Sequence, residues 1–218
     1  MNICAVIPAY NEEKAIADVV GRTLAHVGTV LVVDDGSEDQ TGDLAKGAGA
    51  RIITNNPNLG KGASLRLGLD WAADNGFEAA ITLDADGQHL PEEIPRFIEA
   101  APNADLVIGN RMAEQGSMPY VRWQTNRFTS WVVSRLAHVR VADSQVGFRL
   151  LKTAGWKQLE IMTNNYDFES EMLVSAGRKG LRIVSVPVST VYGEEESKIN
   201  PVVDTIRFAR MVWRLWRK

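Results

Sequence analysis

Cysteine is the scarcest residue here: Cys4 stands alone among 218 residues, so no disulfide can form within the chain. A disulfide-stapled scaffold is excluded, and the usage fits a reducing compartment. Histidine occurs three times, as His26, His89 and His138, at separations that make no zinc-ligand pattern and no obvious triad. No Gly-x-Ser-x-Gly elbow is present. Long hydrophobic runs are missing as well, and none approaches the roughly 20 apolar residues of a membrane-spanning helix. The first residues, MNICAVIPAYNEE, have no basic segment and no cleavage-like site, and read as a strand rather than a signal peptide. A general basic excess is also lacking. The net charge of -3 argues against a globally basic nucleic-acid binder. With 45% hydrophobic and 23% charged residues, the chain has the balance of one globular domain rather than of a disordered or fibrous protein.

The charge is unevenly spread. Residues 201–218 hold five basic side chains and one acidic, a net of +4, which leaves -7 for the preceding 200 residues. On a helix, Arg207, Arg210, Arg214 and Arg217 fall on one stripe, and Val202, Ile206, Ala209, Trp213 and Trp216 on another. Such a basic amphipathic helix suits a membrane surface or an apolar groove of the domain itself, because both uses need the same pattern. The expected organisation is a single catalytic domain over 1–200 followed by this helix over 201–218.

The first half alternates short apolar runs with amphipathic stretches. Strands are expected at residues 3–7, 30–33, 51–54, 79–83 and 106–108, and helices at 12–25, 41–48, 64–75 and 91–101. This alternation predicts an α/β fold with a mostly parallel central sheet flanked by helices. In such sheets ligands bind beyond the carboxyl ends of the strands. The polar clusters fall at those ends: residues 9–13, 34–39, 84–89 and 109–111. Further on, helices are expected at 122–137 and 166–177, a polar loop at 143–149, a strand at 181–188 and a polar stretch at 193–200.

Asp84-Ala85-Asp86 carries the clearest chemistry. In extended chain, residues two apart face one side, about 7 Å from each other. Two carboxylates at a strand end, with the Gln88 carbonyl two residues on, suit a hard divalent ion such as Mg²⁺ or Mn²⁺. In Asp34-Asp35-Gly36-Ser37, alternation lets one carboxylate enter a cleft, and an Asx turn with a helix cap explains the same residues. Asn58 to Gly68, NLGKGASLRLG, suggests a phosphate cradle at a helix N-terminus, yet its spacing fits neither a Walker A loop nor a dinucleotide fingerprint. Arg111, Arg127 and Arg149 lie near the expected site loops and can grip phosphate oxygens, although each also reads as a solvated surface residue.

Taken together, Pro8-Ala9-Tyr10-Asn11-Glu12, Asp34-Asp35-Gly36-Ser37, Asn58-x-Gly60-Lys61-Gly62 and Asp84-Ala85-Asp86-Gly87-Gln88-His89 resemble, in order and spacing, the family-two glycosyltransferases of the GT-A fold. Gly109-Asn110-Arg111, Asn126-Arg127 and Asp143-Ser144-Gln145-Val146-Gly147-Phe148-Arg149 look like the branch that acts on polyprenyl phosphates. The resemblance implies a nucleotide pocket of Pro8, Tyr10, Glu12 and Asp35 with Lys61 and Asp84. It implies a Mg²⁺ or Mn²⁺ ion on Asp84, Asp86 and Gln88, and phosphate contacts from Arg111, Arg127 and Lys198. Asp86, Asp143 and Arg149 are the implied catalytic residues, Arg149 next to the acceptor. The chain departs from the branch before Ser197-Lys198, where Tyr192 and Glu194-Glu195-Glu196 stand in place of the usual arginine.

The implied reaction is transfer of a sugar, with inversion, from a UDP- or GDP-linked donor to a polyprenyl phosphate. A phosphate acceptor is already anionic and needs no strong base, whereas a hydroxyl acceptor needs a carboxylate to take its proton. Asp143 is the candidate base for that second case. A saccharide or small-molecule hydroxyl as acceptor, and a non-catalytic sugar-nucleotide binding module, stay open at this point. A lipid-linked acceptor implies a cytoplasmic protein held peripherally at the inner face of the membrane through residues 202–218.

Overall fold

A parallel strand covered on both faces must be apolar on both, and three of the expected strands meet that demand completely. Every residue of β1 (Ile3–Ala9), β2 (Val30–Asp34) and β4 (Ala79–Thr82) is buried. Alternation along β1 sorts its side chains. Ile3, Ala5, Ile7 and Ala9 enter one core, and Cys4 and Val6 the other. The computed structural model describes residues 1–113, 120–191 and 201–217.

The remaining elements are α1 (Ile16–Leu24), α2 (Thr41–Gly47), β3 (Arg51–Thr54), α3 (Lys61–Asp74), α4 (Ile94–Ala100), β5 (Leu106–Asn110), α5 (Tyr120–Ala137), β6 (Arg149–Lys152), α6 (Thr153–Trp156), α7 (Phe168–Arg178), β7 (Ile183–Pro187) and α8 (Pro201–Trp216). The sheet runs β3-β2-β1-β4-β6-β5-β7. The β1–β2, β1–β4, β2–β3 and β5–β7 pairs are parallel, and β6 runs antiparallel to both neighbours. The first core takes Ile16, Val19, Val20, Ile94 and Phe97 from α1 and α4. The second takes Leu65, Leu69, Phe168, Met172, Val133, Met211 and Leu215 from α3, α7, α5 and α8. A side chain at Gly68 would run into Val6, so glycine there lets α3 lie directly against β1.

Three differences from the sequence reading bear on the site. The helix expected from residue 64 begins at Lys61, which puts Lys61 and Gly62 in its first turn. β6 was not expected, because four residues give no readable period. Its antiparallel direction places its start, and the loop 143–148 before it, at the carboxyl edge of the sheet. Finally, α8 buries Met211 and Leu215 against the domain while Trp213 and Trp216 stay 61% and 77% exposed. One of the two uses weighed for this helix, packing on the domain, is thus met by the face that carries Met211 and Leu215.

Candidate active site

The chain leaves β1 in one direction to build β2 and β3, and in the other to build β4. That reversal falls at the carboxyl ends of β1 and β4, the place where open α/β sheets take their ligands. The loop after β1 is knitted to the loop after β2. Asn11, in left-handed conformation at φ 51°, accepts the Glu38 N–H on its Oδ1 at 2.8 Å. Its own N–H donates to Ser37 Oγ at 3.0 Å, and the Glu12 N–H donates to Thr41 Oγ1 at 2.8 Å. Pro8 lies at the end of β1, and Tyr10 is 37% exposed beyond it. Asp35 is buried. Its carboxylate accepts from Asn55 Nδ2 at 2.7 Å and from the backbone N–H groups of Leu59 and Gly60 at 3.0 and 2.8 Å. Asp35 thus holds the loop that delivers Lys61.

Lys61 lies at the centre. Its Nζ is 2.6 Å from Asp84 Oδ1 and 3.2 Å from Glu169 Oε1. Burial opposes its charge, but Asp84 and Glu169 raise its pKa above the usual lysine value. Burial likewise opposes the Asp84 charge, and Lys61 more than offsets this, taking the carboxyl down to about 2. Room for that carboxylate comes from Gly147, where a Cβ would lie 2.7 Å from Asp84 Oδ1. Asp86 turns the chain by accepting the Gln88 N–H on Oδ1 at 2.9 Å, with Gly87 between them at φ 73°. Among the described residues no three His, Cys, Asp or Glu side chains cluster to form a metal cage. The Asp84–Asp86 pair suits Mg²⁺ or Mn²⁺, which are held by one or two carboxylates and complete their shell from substrate phosphates and water.

His89 is buried under this strand end, its ring 5.3 Å from that of Phe148. The Asp84 N–H donates to His89 Nδ1 at 3.2 Å, which leaves the ring proton on Nε2. Desolvation pushes the imidazole pKa down to about 4, against the attraction of Asp84. Between pH 6.5 and 4 the unfolded chain therefore binds a proton that the folded chain refuses, and acidification across that window favours unfolding. The expected result is a urea midpoint that falls from pH 7 to 4.5 in the native protein and less steeply in His89→Gln. Parallel profiles for the two proteins would contradict it.

Arg111 and Asp143 form a bidentate pair, Nε to Oδ2 at 2.8 Å and Nη2 to Oδ1 at 3.0 Å. Asp143 is fully buried, and its Oδ1 also accepts the Gln145 N–H at 3.0 Å. Asp143, the candidate base of the sequence reading, is thus enclosed and paired with Arg111, whose guanidinium it orients. Arg149 is likewise enclosed. It is 1% exposed and donates to the carbonyls of Val146 at 2.8 Å, Glu169 at 2.6 Å and Ser144 at 2.9 Å. It ties the 143–148 loop to α7 from a buried position. Arg127 is exposed on α5, its guanidinium 5.2 Å from the Trp123 ring. Lys198 lies outside the described residues. Glu169 is not singled out by the sequence, and Asn11 only as part of the Pro8–Glu12 motif. The density of acids in 166–177 was the one signal for Glu169.

A mostly parallel sheet with paired carboxylates at the end of β4 defines a sugar-nucleotide transferase of the GT-A fold. The chain belongs to glycosyl transferase family 2, whose model matches residues 4–158, and it is a glycosyltransferase. Among its relatives is an undecaprenyl-phosphate mannosyltransferase of Micrococcus luteus, 34% identical over 92% of this chain and 88% of that one. A UDP-N-acetylglucosamine–dolichyl-phosphate N-acetylglucosaminyltransferase of Methanococcus voltae is 33% identical over 88% and 86%. Among solved structures, glucosyl-3-phosphoglycerate synthase of Mycobacterium tuberculosis, crystallised with Mn²⁺ and UDP, superposes with a TM-score of 0.74 at 20% identity. That match covers 99% of this chain and 78% of the other, and it establishes the fold alone.

Proposed function

We propose that this chain transfers a sugar, with inversion, from a nucleotide-diphosphate sugar to the phosphate of a polyprenyl phosphate, with a divalent metal ion. The observation that carries the reading is the burial of Asp143 beneath Arg111. The carboxylate best placed in sequence to deprotonate a hydroxyl is spent on a guanidinium, and an acceptor that arrives as an anion needs positive charge instead of a base. The acceptors named for the two sequence relatives point the same way.

In this reading the loops after β1 and β2 take the nucleoside, with Tyr10 at the mouth. Asp84 and Asp86, with Gln88, would hold Mg²⁺ or Mn²⁺, which when bound offsets the charge of the departing diphosphate. Lys61, pinned between Asp84 and Glu169, stands at the end of the phosphate path. Arg111, aimed by Asp143, and Arg127 draw the acceptor phosphate toward the anomeric carbon. Arg149 keeps the intervening loop in place.

The test is a thermal-shift panel of UDP, GDP and their sugar conjugates, with Mn²⁺ or with chelator. A ligand at 100 times its dissociation constant stabilises the native state by about 2.7 kcal/mol. One nucleotide should raise the melting temperature, and chelation should remove the rise. A lipid-linked sugar that mild acid releases should be the product. Transfer to a hydroxyl acceptor instead would overturn the phosphate reading.

No helix among the described residues is long and apolar enough to cross a membrane. The lipid acceptors named for the relatives support action at a membrane surface.

A further inference from the structure

Lys61 stands where a cation is out of place. The first turn of a helix favours negative charge, because its free N–H groups and the helix dipole are positive there. The first turn of α3 holds no acid and carries this ammonium instead. Two carboxylates hold it, Asp84 Oδ1 at 2.6 Å and Glu169 Oε1 at 3.2 Å. One would suffice for an ion pair. Asp84 has a second task in the proposed function, as one of the two acids suited to a divalent ion. Glu169 has no such task. Among the described residues Lys61 is the only cation within 4.0 Å of its carboxylate. Arg149 meets the backbone carbonyl of Glu169, not its side chain.

The backbone builds this arrangement. Glycines on both sides of Lys61 let the start of α7 close on the start of α3. A Cβ at Gly60 would lie 2.7 Å from the Asn164 carbonyl oxygen, and one at Gly62 would lie 2.6 Å from Phe168 Cβ. The Ala63 N–H donates to the same Asn164 carbonyl at 3.1 Å. The Tyr166 ring is 5.8 Å from Lys61 Nζ. Glu169, buried in the first turn of α7, is thereby set beside Lys61. With the ammonium charged and both acids ionised, the three side chains carry a net negative charge of one. Lys61 and a divalent ion both draw on the Asp84 carboxylate, and two cations that close repel each other.

We propose that Glu169 is a positioning residue for the metal site: it takes over the Lys61 ammonium when the Asp84 carboxylate turns to a divalent ion, and so sets the affinity for that ion. Without Glu169, Lys61 has Asp84 alone to pair with and competes for it. With Glu169, the ammonium has a second partner already in contact. The inference rests on the metal reading of Asp84 and Asp86, and it adds a residue from α7 that contributes no ligand.

The test is a Mn²⁺ titration of the full chain without donor, with the free ion read by electron paramagnetic resonance. Outer partners of metal ligands typically control affinity by about 10–100-fold, and Glu169→Gln should weaken Mn²⁺ binding within that range. Adding Lys61→Met to Glu169→Gln removes the competitor together with its partner and restores the net charge of the cluster. The double variant should therefore recover most of the native affinity. Lys61→Met alone should bind Mn²⁺ more tightly than the native chain, which keeps the test open should Glu169→Gln fail to fold. A merely structural Glu169 would leave the double variant as weak as Glu169→Gln, and that result would overturn the proposal. Unchanged affinity in Glu169→Gln, or weaker binding in Lys61→Met, would overturn it too. Asp86→Asn is the reference. If Asp86→Asn loses Mn²⁺ and Glu169→Gln does not, the metal reading stands and this proposal falls. If the native chain takes up no Mn²⁺, both fall.

Discussion

Asp86→Asn is expected to lower kcat by about 10²–10³-fold and to weaken Mn²⁺ binding, with little change in melting temperature. The substitution is nearly isosteric, and the remaining side-chain oxygen can still accept the Gln88 N–H that shapes the turn. What disappears is one of the two carboxylate charges in the cleft. A divalent ion held by two carboxylates and a diphosphate depends on each of them, because Mg²⁺ and Mn²⁺ take charge and hard oxygen rather than polarisable donors. Asp84 is the poorer choice for the experiment. Its loss also strands the Lys61 ammonium against Glu169 alone, so stability and chemistry would change together. Two readouts are required: turnover with a fixed donor, and free Mn²⁺ measured by electron paramagnetic resonance in the absence of donor. Turnover within tenfold of the native enzyme, with Mn²⁺ binding unchanged, would remove Asp86 from the metal site.

Arg149→Leu is expected to cost about 3–5 kcal/mol of folding stability, a large share of the 5–15 kcal/mol typical of a domain. The guanidinium supplies donors to three carbonyls, those of Ser144, Val146 and Glu169, and all three lose a partner at once. Burial lowers the Arg149 pKa, while Glu169 and Asp143 oppose that shift, so the charge sits in a network rather than in water. Leucine fills part of the volume and satisfies none of the carbonyls. Arg149→Lys keeps a charge with fewer directed donors and should recover part of the loss. Urea unfolding measures both variants. If Arg149→Leu is as stable as the native protein and instead raises KM for the acceptor, Arg149 touches substrate after all.

These two residues show how differently the chain exposes its site to sequence reading. β4 ends at Thr82, so Asp84 and Asp86 sit in the Gly-containing turn just past the strand rather than in extended chain. They could be placed beyond the carboxyl end of β4 because their message is local. The same holds for the residues after β1 and β2, and for the alternation that announced an α/β fold with a mostly parallel sheet. Arg149 and Asp143 carry no such message. A guanidinium that binds phosphate and one that binds three carbonyls look alike in a sequence, and only the path of β6 turns Arg149 inward. β6 itself has four residues, too few for a period, and it forms because β4 and β5 offer it edges on both sides.

The sequence by itself determined the fold class, the order of the loops and the carboxylate pair, because strand period, turn chemistry and motif spacing are properties of neighbouring residues. The tertiary structure alone decided that Glu169 anchors Lys61, that Asp143 aims Arg111, and that Tyr120, Phe128 and Trp131 of α5 stay exposed. Each of those depends on which distant segment packs against which. Burial and pairing set the charge state and reach of a side chain, and both arise only once the sheet and its two helical layers have closed.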